Sequence, residues 1–332
     1  MVRLMTSRDC GACLKWQLPE PPSTLAAYDL ESFKMRSLLN SSSRRLCQSL
    51  QFRPPLCYTK PSLDPLPIQF RFSCAMASQH SAACCSIPPI VSHDYKSKGQ
   101  YITIDGLKTY HTGPSDAKHA ILVIMDIFGF FPQTLQGADI LAQSDEKRKY
   151  QVFMPDWFEG HPADVSWYPP DNDEKKKKLG DFFAGPAAPA KTVARVPKVV
   201  EEINSKVQGF ESWAILGFCW GGKIVNLVST SGSKFKVAAA AHPAMVDPKD
   251  APNITIPIAM LPSKDEDKDA VKQWQDGLKV KNKVEFFNDQ IHGFMAARSD
   301  LSDERVRHEY TRGYKTVLEF FHENLIRNSS KI

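Results

Sequence analysis

Cysteine is nearly absent from the part of this chain that has folding character: of eight cysteines, seven lie in the first 85 residues and the eighth is Cys219. A single thiol beyond residue 85 excludes a disulfide framework within that stretch. Cys84 and Cys85 are adjacent and do not readily bridge one another, and Cys10-x-x-Cys13 has neither a strand beside it nor a second pair at metal spacing. Neither a redox motif nor a metal site is therefore expected. No apolar run reaches about 18 residues, so no helix is expected to span a membrane. An excess of one charge is missing too. Beyond residue 75, 32 Lys or Arg stand against 32 Asp or Glu, and the net charge of +5 belongs to residues 1–75. A neutral body carries no basic stripe for nucleic acid. No internal repeat is visible, and no cofactor motif occurs.

What is present divides into three segments. Residues 1–75 are crowded with Ser, Arg and Pro, as in Ser41-Ser42-Ser43-Arg44-Arg45 and Arg53-Pro54-Pro55, and hold no lasting hydrophobic period. From 32 to 75 the only acid is Asp64, which is the composition of an organelle transit peptide. Met76-Ala77-Ser78 also reads as an ordinary start, so the product is expected either in the cytoplasm or in a chloroplast or mitochondrion. Residues 76–94 read as a linker, and 95–332 as one α/β domain, long enough for a substantial core.

Within that domain, strands are expected at 101–104 and 108–112, at 120–125, at 150–154, at 237–241, at 256–261 and at 284–287. Helices are expected at 132–142, 174–179, 191–203, from Gly222 onward, and at 303–325. The stretch Gly185-Pro186-Ala187-Ala188-Pro189 breaks the second from the third. Strands alternating with helices imply a mostly parallel sheet covered on both faces.

The densest chemical signal is Ala214-Ile215-Leu216-Gly217-Phe218-Cys219-Trp220-Gly221-Gly222. An apolar strand runs into small-x-nucleophile-x-small and then a helix, the pattern of a nucleophile elbow with sulfur in place of oxygen. Such a turn needs glycine at 217 and 221, where a Cβ would strike neighbouring backbone. A thiol nucleophile needs a base and a group to orient that base, following in the order nucleophile, acid, histidine. After the strand ending at Leu261 comes Pro262-Ser263-Lys264-Asp265-Glu266-Asp267. Asp265 is the expected acid, with Asp267 as the alternative. Asn288-Asp289-Gln290-Ile291-His292-Gly293-Phe294 then places His292 on a loop before the last helix, whereas His308 and His322 fall inside that helix.

These residues resemble the dienelactone hydrolase family of α/β-hydrolases, whose elbow is G-x-C-x-G-G and whose histidine stands in an H-G-F loop. The resemblance covers about Tyr95 to the C-terminus. It implies an α/β-hydrolase fold, and it puts Cys219, Asp265 and His292 on the family's nucleophile, acid and base. The run Ile121 to Gly129 resembles the family's first long strand, with Asp126 where the family usually has glutamate. A carboxylate there could hold the Cys219 thiol protonated until substrate arrives, since neighbouring charge sets the thiolate population; alternatively it caps the following turn. The oxyanion of acyl transfer would be held by the amides of Trp220 and Ile127. Phe128 and Trp157 are expected in the wall of an apolar pocket that also draws on Phe130, Phe131, Phe158, Trp167 and Trp220. The family's carboxylate-binding arginine corresponds to Arg298, at a longer spacing from the histidine. The expected partner is a small ester or lactone, with no cofactor or metal; no oligomeric state is indicated.

Two other functions fit the same residues. The fold could serve as a non-catalytic ligand-binding protein. A glucan-cleaving enzyme would need two carboxylates roughly 5–10 Å apart, for which Asp126 and Asp156 are the candidates.

Overall fold

The computed structural model describes residues 95–144 and 148–325. The expected leader over 1–75, the expected linker over 76–94, Met76 and the seven N-terminal cysteines fall outside the described residues.

The sheet opens with β1 (Gln100–Ile104) and β2 (Leu107–Thr112), an antiparallel hairpin, as expected. β2 lies antiparallel to β4 (Tyr150–Pro155), and β3 (His119–Ile124) slots between β4 and β5 (Ser212–Phe218). β6 (Val237–Ala241), β7 (Ile258–Leu261) and β8 (Asn282–Val284) extend the sheet in parallel, giving the order β1-β2-β4-β3-β5-β6-β7-β8. β3 to β6 are buried almost throughout, which is why they read as continuous apolar runs rather than alternating ones.

Helices α1 (Pro132–Gln143) and α6 (Glu304–Leu325) pack on each other and on the sheet, as do α3 (Pro189–Lys206) and α4 (Trp220–Val228). β6 is almost entirely alanine, and this lets α4 approach it: a Cβ on Gly222 would lie 2.8 Å from Pro243 Cβ and 3.4 Å from Ala240 Cβ. α2 (Asp173–Ala184) runs five residues beyond the expected 174–179. Asn172 caps it by accepting the Lys175 amide, and Phe182 in its last turn is buried against Phe158. The lysine run on α2 pairs with acids at helical spacing, Lys177 with Asp181 and Lys178 with Glu174.

One helix was not expected: α5 (Lys268–Gly277), which buries Val271 and Trp274. Its N-cap is Asp267, whose carboxylate accepts the amides of Asp269 and Ala270. The last strand also differs. β8 ends at Val284, but the chain continues beside β7, with Glu285 N–H donating to Met260 O and Phe287 N–H to Pro262 O. The domain's N-terminal entry is tied down by one buried carboxylate: Asp139 on α1 accepts from Tyr95 Oη, Lys98 N, Tyr110 Oη and Thr112 Oγ1 at 2.6–2.9 Å.

Candidate active site

Cys219 sits between β5 and α4 at φ +52°, ψ −116°, a strained conformation for a residue with a Cβ, of the kind found at functional turns. The glycines around it are required sterically. A Cβ on Gly217 would come within 2.2 Å of Gly221 O, and one on Gly221 within 2.2 Å of Ile124 O. The turn is braced from both sides, Cys219 N–H donating to Ala241 O and Cys219 O accepting from the amides of Gly222 and Ala244. α4 begins at Trp220 rather than at Gly222. The Trp220 amide is thus in the first helical turn, one of the donors that a helix leaves without an intrahelical acceptor, beside the thiol.

His292 is buried, and its Nδ1 lies 2.6 Å from Glu266 Oε1, with both side chains 3 % exposed. The acid on the imidazole is therefore Glu266, not the expected Asp265 and not Asp267. The bend of the loop decides this. Asp265 Oδ2 accepts the backbone amide of His292 at 2.8 Å, and Asp267 turns away to cap α5. Glu266 is the carboxylate left pointing inward, its other oxygen accepting the Ser263 amide. Asp265 and Glu266 together clamp the histidine, one by its main chain and the other by its ring.

Asp126, just beyond β3, is fully buried. Its Oδ1 accepts the Phe128 amide at 3.0 Å and its Oδ2 the Ala297 amide at 3.2 Å. Burial raises its pKa from the ordinary 3.8, against the pull of those amides and of the Arg298 and His292 charges. The carboxylate is thus a turn cap with electrostatic reach to His292. The turn it holds carries Ile127, whose carbonyl accepts the Ala163 amide at 2.8 Å.

Arg298 is buried with its guanidinium carbon 5.5 Å from the ring centroids of both Phe128 and Tyr168. Successive turns between Ile291 and Ser299 absorb the long spacing. Gly293, at φ +95°, leaves no Cβ in the path of the Arg298 side chain, which would lie 2.9 Å from it.

A cleft of about 750 Å³ opens on the Ile127 turn, lined by Phe128, Phe131, Val165, Trp167 and Phe182, with Lys178 and Asp181 also bordering it. Trp157, expected in a pocket wall, is not among the lining residues: it is buried, with its indole N–H donating to Val123 O at 3.3 Å. Phe158 and Trp220 are likewise core, their rings 5.0 Å apart, and Phe130 packs on Tyr101 instead. Asp156 spends both carboxylate oxygens on the amides of Phe158 and Gly160, so it too is a turn cap. Among the described residues no cluster of three His, Cys, Asp or Glu could hold a metal.

Sequence reasoning passed over Glu266, which stood in the acidic run, and His242, which follows β6. The ring of His242 lies 5.3 Å from that of His292. Since Ala241 accepts the Cys219 amide, this links the elbow to the histidine loop.

Residues 107–325 match the model of the dienelactone hydrolase family. An uncharacterized AIM2 family protein of Schizosaccharomyces pombe is 34 % identical, with 75 % of this chain and 98 % of that protein aligned. A carboxymethylenebutenolidase homolog of Mus musculus is 26 % identical over 76 % of this chain and 97 % of its own. Among solved structures, a Klebsiella pneumoniae protein provisionally named a dienelactone hydrolase superposes with a TM-score of 0.53 at 19 % identity, covering 68 % of this chain and 99 % of that one. By its elbow, its sheet order and the family match over 107–325, this chain belongs to the dienelactone hydrolase family of α/β-hydrolases.

Proposed function

We propose that this protein hydrolyses small esters or lactones through a thioester on Cys219. His292 takes the thiol proton, and the sulfur attacks the substrate carbonyl carbon. The amides of Trp220 and Ile127 stabilise the oxyanion. The carbonyl re-forms as the alkoxide leaves with the proton from His292. Water, deprotonated by the same imidazole, then cleaves the thioester and frees the acid and the thiol. Glu266 fixes the imidazole and balances the charge it acquires, while Asp126 holds the turn that presents the Ile127 amide. Arg298 stands ready to attract a substrate carboxylate from beneath the Phe128 ring.

The observations that carry this reading are the buried 2.6 Å pair of His292 and Glu266 and a cysteine held at φ +52° whose amide donates to Ala241 O, next to His242, whose ring lies 5.3 Å from that of His292. The test is turnover of p-nitrophenyl acetate and a panel of lactones by the wild type and by Cys219→Ala. The variant is expected to fold, because it removes one sulfur, and to lose both burst and steady-state hydrolysis. Undiminished rates in Cys219→Ala would overturn the reading.

A further inference from the structure

His242 is completely buried at the end of β6. Its backbone is held at φ +35°, and its N–H donates to Leu261 O at 2.8 Å. The ring is stacked on Phe218, with centroids 5.7 Å apart and planes at 23°. It meets two further rings at steep angles, His292 at 5.3 Å and 69° and Phe294 at 5.6 Å and 66°. Neither Nδ1 nor Nε2 has a hydrogen-bond partner in any other described residue, the one polar contact of the ring being with its own main chain. Burial, seconded by the nearness of His292, holds its pKa well below 6.5, so the ring is neutral.

Two costs therefore meet at this residue. A buried polar atom without a partner costs about 1–3 kcal/mol, and positive φ strains a residue with a Cβ. A phenylalanine would fill the same space among Phe218 and Phe294 without the first of them. The imidazole thus needs an explanation outside the packing, and the polar group it touches is His292.

We propose that His242 is a positioning residue whose neutral imidazole dipole steadies the positive charge on His292 when that ring accepts the Cys219 proton. This rests on the reading of Cys219 and His292 as nucleophile and base. In the step concerned the S–H bond breaks and an N–H bond forms on His292, leaving a thiolate and an imidazolium with no net change in protons. The charged groups facing His292 are Glu266 at Nδ1, Asp265 at its main chain, and Asp126 and Arg298 across the site. The three carboxylates favour the imidazolium and Arg298 opposes it. His242 adds a fixed dipole in water-free surroundings, where screening is weak. Carrying no charge, it does not compete with Glu266 for the proton.

The test needs no substrate. Iodoacetamide alkylation of the Cys219 peptide, read by mass spectrometry across pH in the full chain, reports the thiolate–imidazolium pair and separates Cys219 from the other seven thiols. His242→Phe is expected to slow alkylation near neutral pH about tenfold and to move its acid limb to higher pH, because an imidazolium that is less well solvated supports less thiolate. Its melting temperature should stay level or rise. His242→Gln, which restores a neutral dipole, should recover part of the rate. Wild-type alkylation and an unmoved acid limb in His242→Phe would overturn the proposal. So would equal losses in the Phe and Gln variants accompanied by a lower melting temperature, which would mark a packing role alone. A wild type that turns over no ester would sink the proposed hydrolysis while leaving this readout intact.

Discussion

Glu266 and His292 form a pair sealed from solvent, carboxylate oxygen to Nδ1, while the neighbouring Asp265 holds only the main chain of the same histidine. The two acids are adjacent in sequence and should differ sharply in effect. Glu266→Gln removes the charge facing the imidazolium and leaves one acceptor oxygen for the two sites the carboxylate serves, the Ser263 amide and His292 Nδ1. It should lower kcat/KM by on the order of 10²–10⁴, the range for uncoupling a base from its orienting carboxylate. Asp265→Asn keeps an acceptor oxygen for the His292 amide and should cost less than about 1 kcal/mol, roughly fivefold. Rates on one activated ester for both variants, with melting curves as the folding control, decide the matter. A larger loss for Asp265→Asn would return the orienting role to the aspartate.

The elbow tolerates no methyl group at its first glycine. Gly217→Ala places a carbon 2.2 Å from Gly221 O and 2.4 Å from Gly221 C, and backbone cannot rotate away as a flexible side chain can. The variant should lose about 2–4 kcal/mol of stability and its activity with it. Gly180→Ala on exposed α2, where a Cβ meets nothing within 4 Å, should be neutral or slightly stabilising. Thermal unfolding of the two side by side checks the contrast, and equal melting temperatures would contradict the steric account.

How much of this was legible in the sequence follows from how local each signal is. β6 matched its expected span residue for residue, and the elbow was readable because glycine spacing and an apolar strand sit within nine residues. His292 was readable from its order in the chain. The choice among Asp265, Glu266 and Asp267 was not, since three consecutive carboxylates point in directions set by how the loop closes onto the histidine turn. α5 was missed although Asp267 was in view, because an aspartate weighed as a catalytic acid was not weighed as an N-cap. His242 escaped because its position depends on β6 lying beside β7, a pairing between segments distant in sequence. Trp157 was misplaced for a related reason: residue type tells that an indole is buried, and only the fold tells whether it faces a cleft or a backbone carbonyl.

Asp126 gives the protein a signature in pH. Burial raises its carboxyl above the ordinary 3.8, so the folded state binds the proton more tightly than the unfolded chain. The stabilisation this provides is complete below about pH 4 and disappears as pH climbs through the folded value, at about 1.4 kcal/mol for each unit of displacement. Asp126→Asn cannot titrate there. The wild-type melting temperature minus that of Asp126→Asn should therefore fall as pH rises above about 4. Measured by calorimetry at fixed ionic strength, a difference that stays flat or grows with pH would contradict the raised carboxyl.

The cleft beside the Ile127 turn should sort substrates by size. Ala163 N–H on Ile127 O joins the cleft loop to the turn whose Ile127 amide is proposed to hold the oxyanion, and Phe128 lies in the cleft wall one residue further on. Neither Cys219 nor His292 lines the cleft, so on the proposed hydrolysis an acyl group has to extend beyond acetyl to meet Phe131 and Trp167. Truncating Trp167 to alanine removes enough apolar contact, at about 25 cal/mol per Å², to lose about 1–1.5 kcal/mol, close to tenfold. Trp167→Ala should thus lower kcat/KM for p-nitrophenyl butanoate about tenfold and leave the acetate within about twofold. Because Trp167 is half-buried and distant in sequence from Cys219, the acetate rate serves as the internal control for an intact catalytic centre. A parallel fall for both esters would mean that Trp167 supports the fold of the site rather than binding the acyl chain.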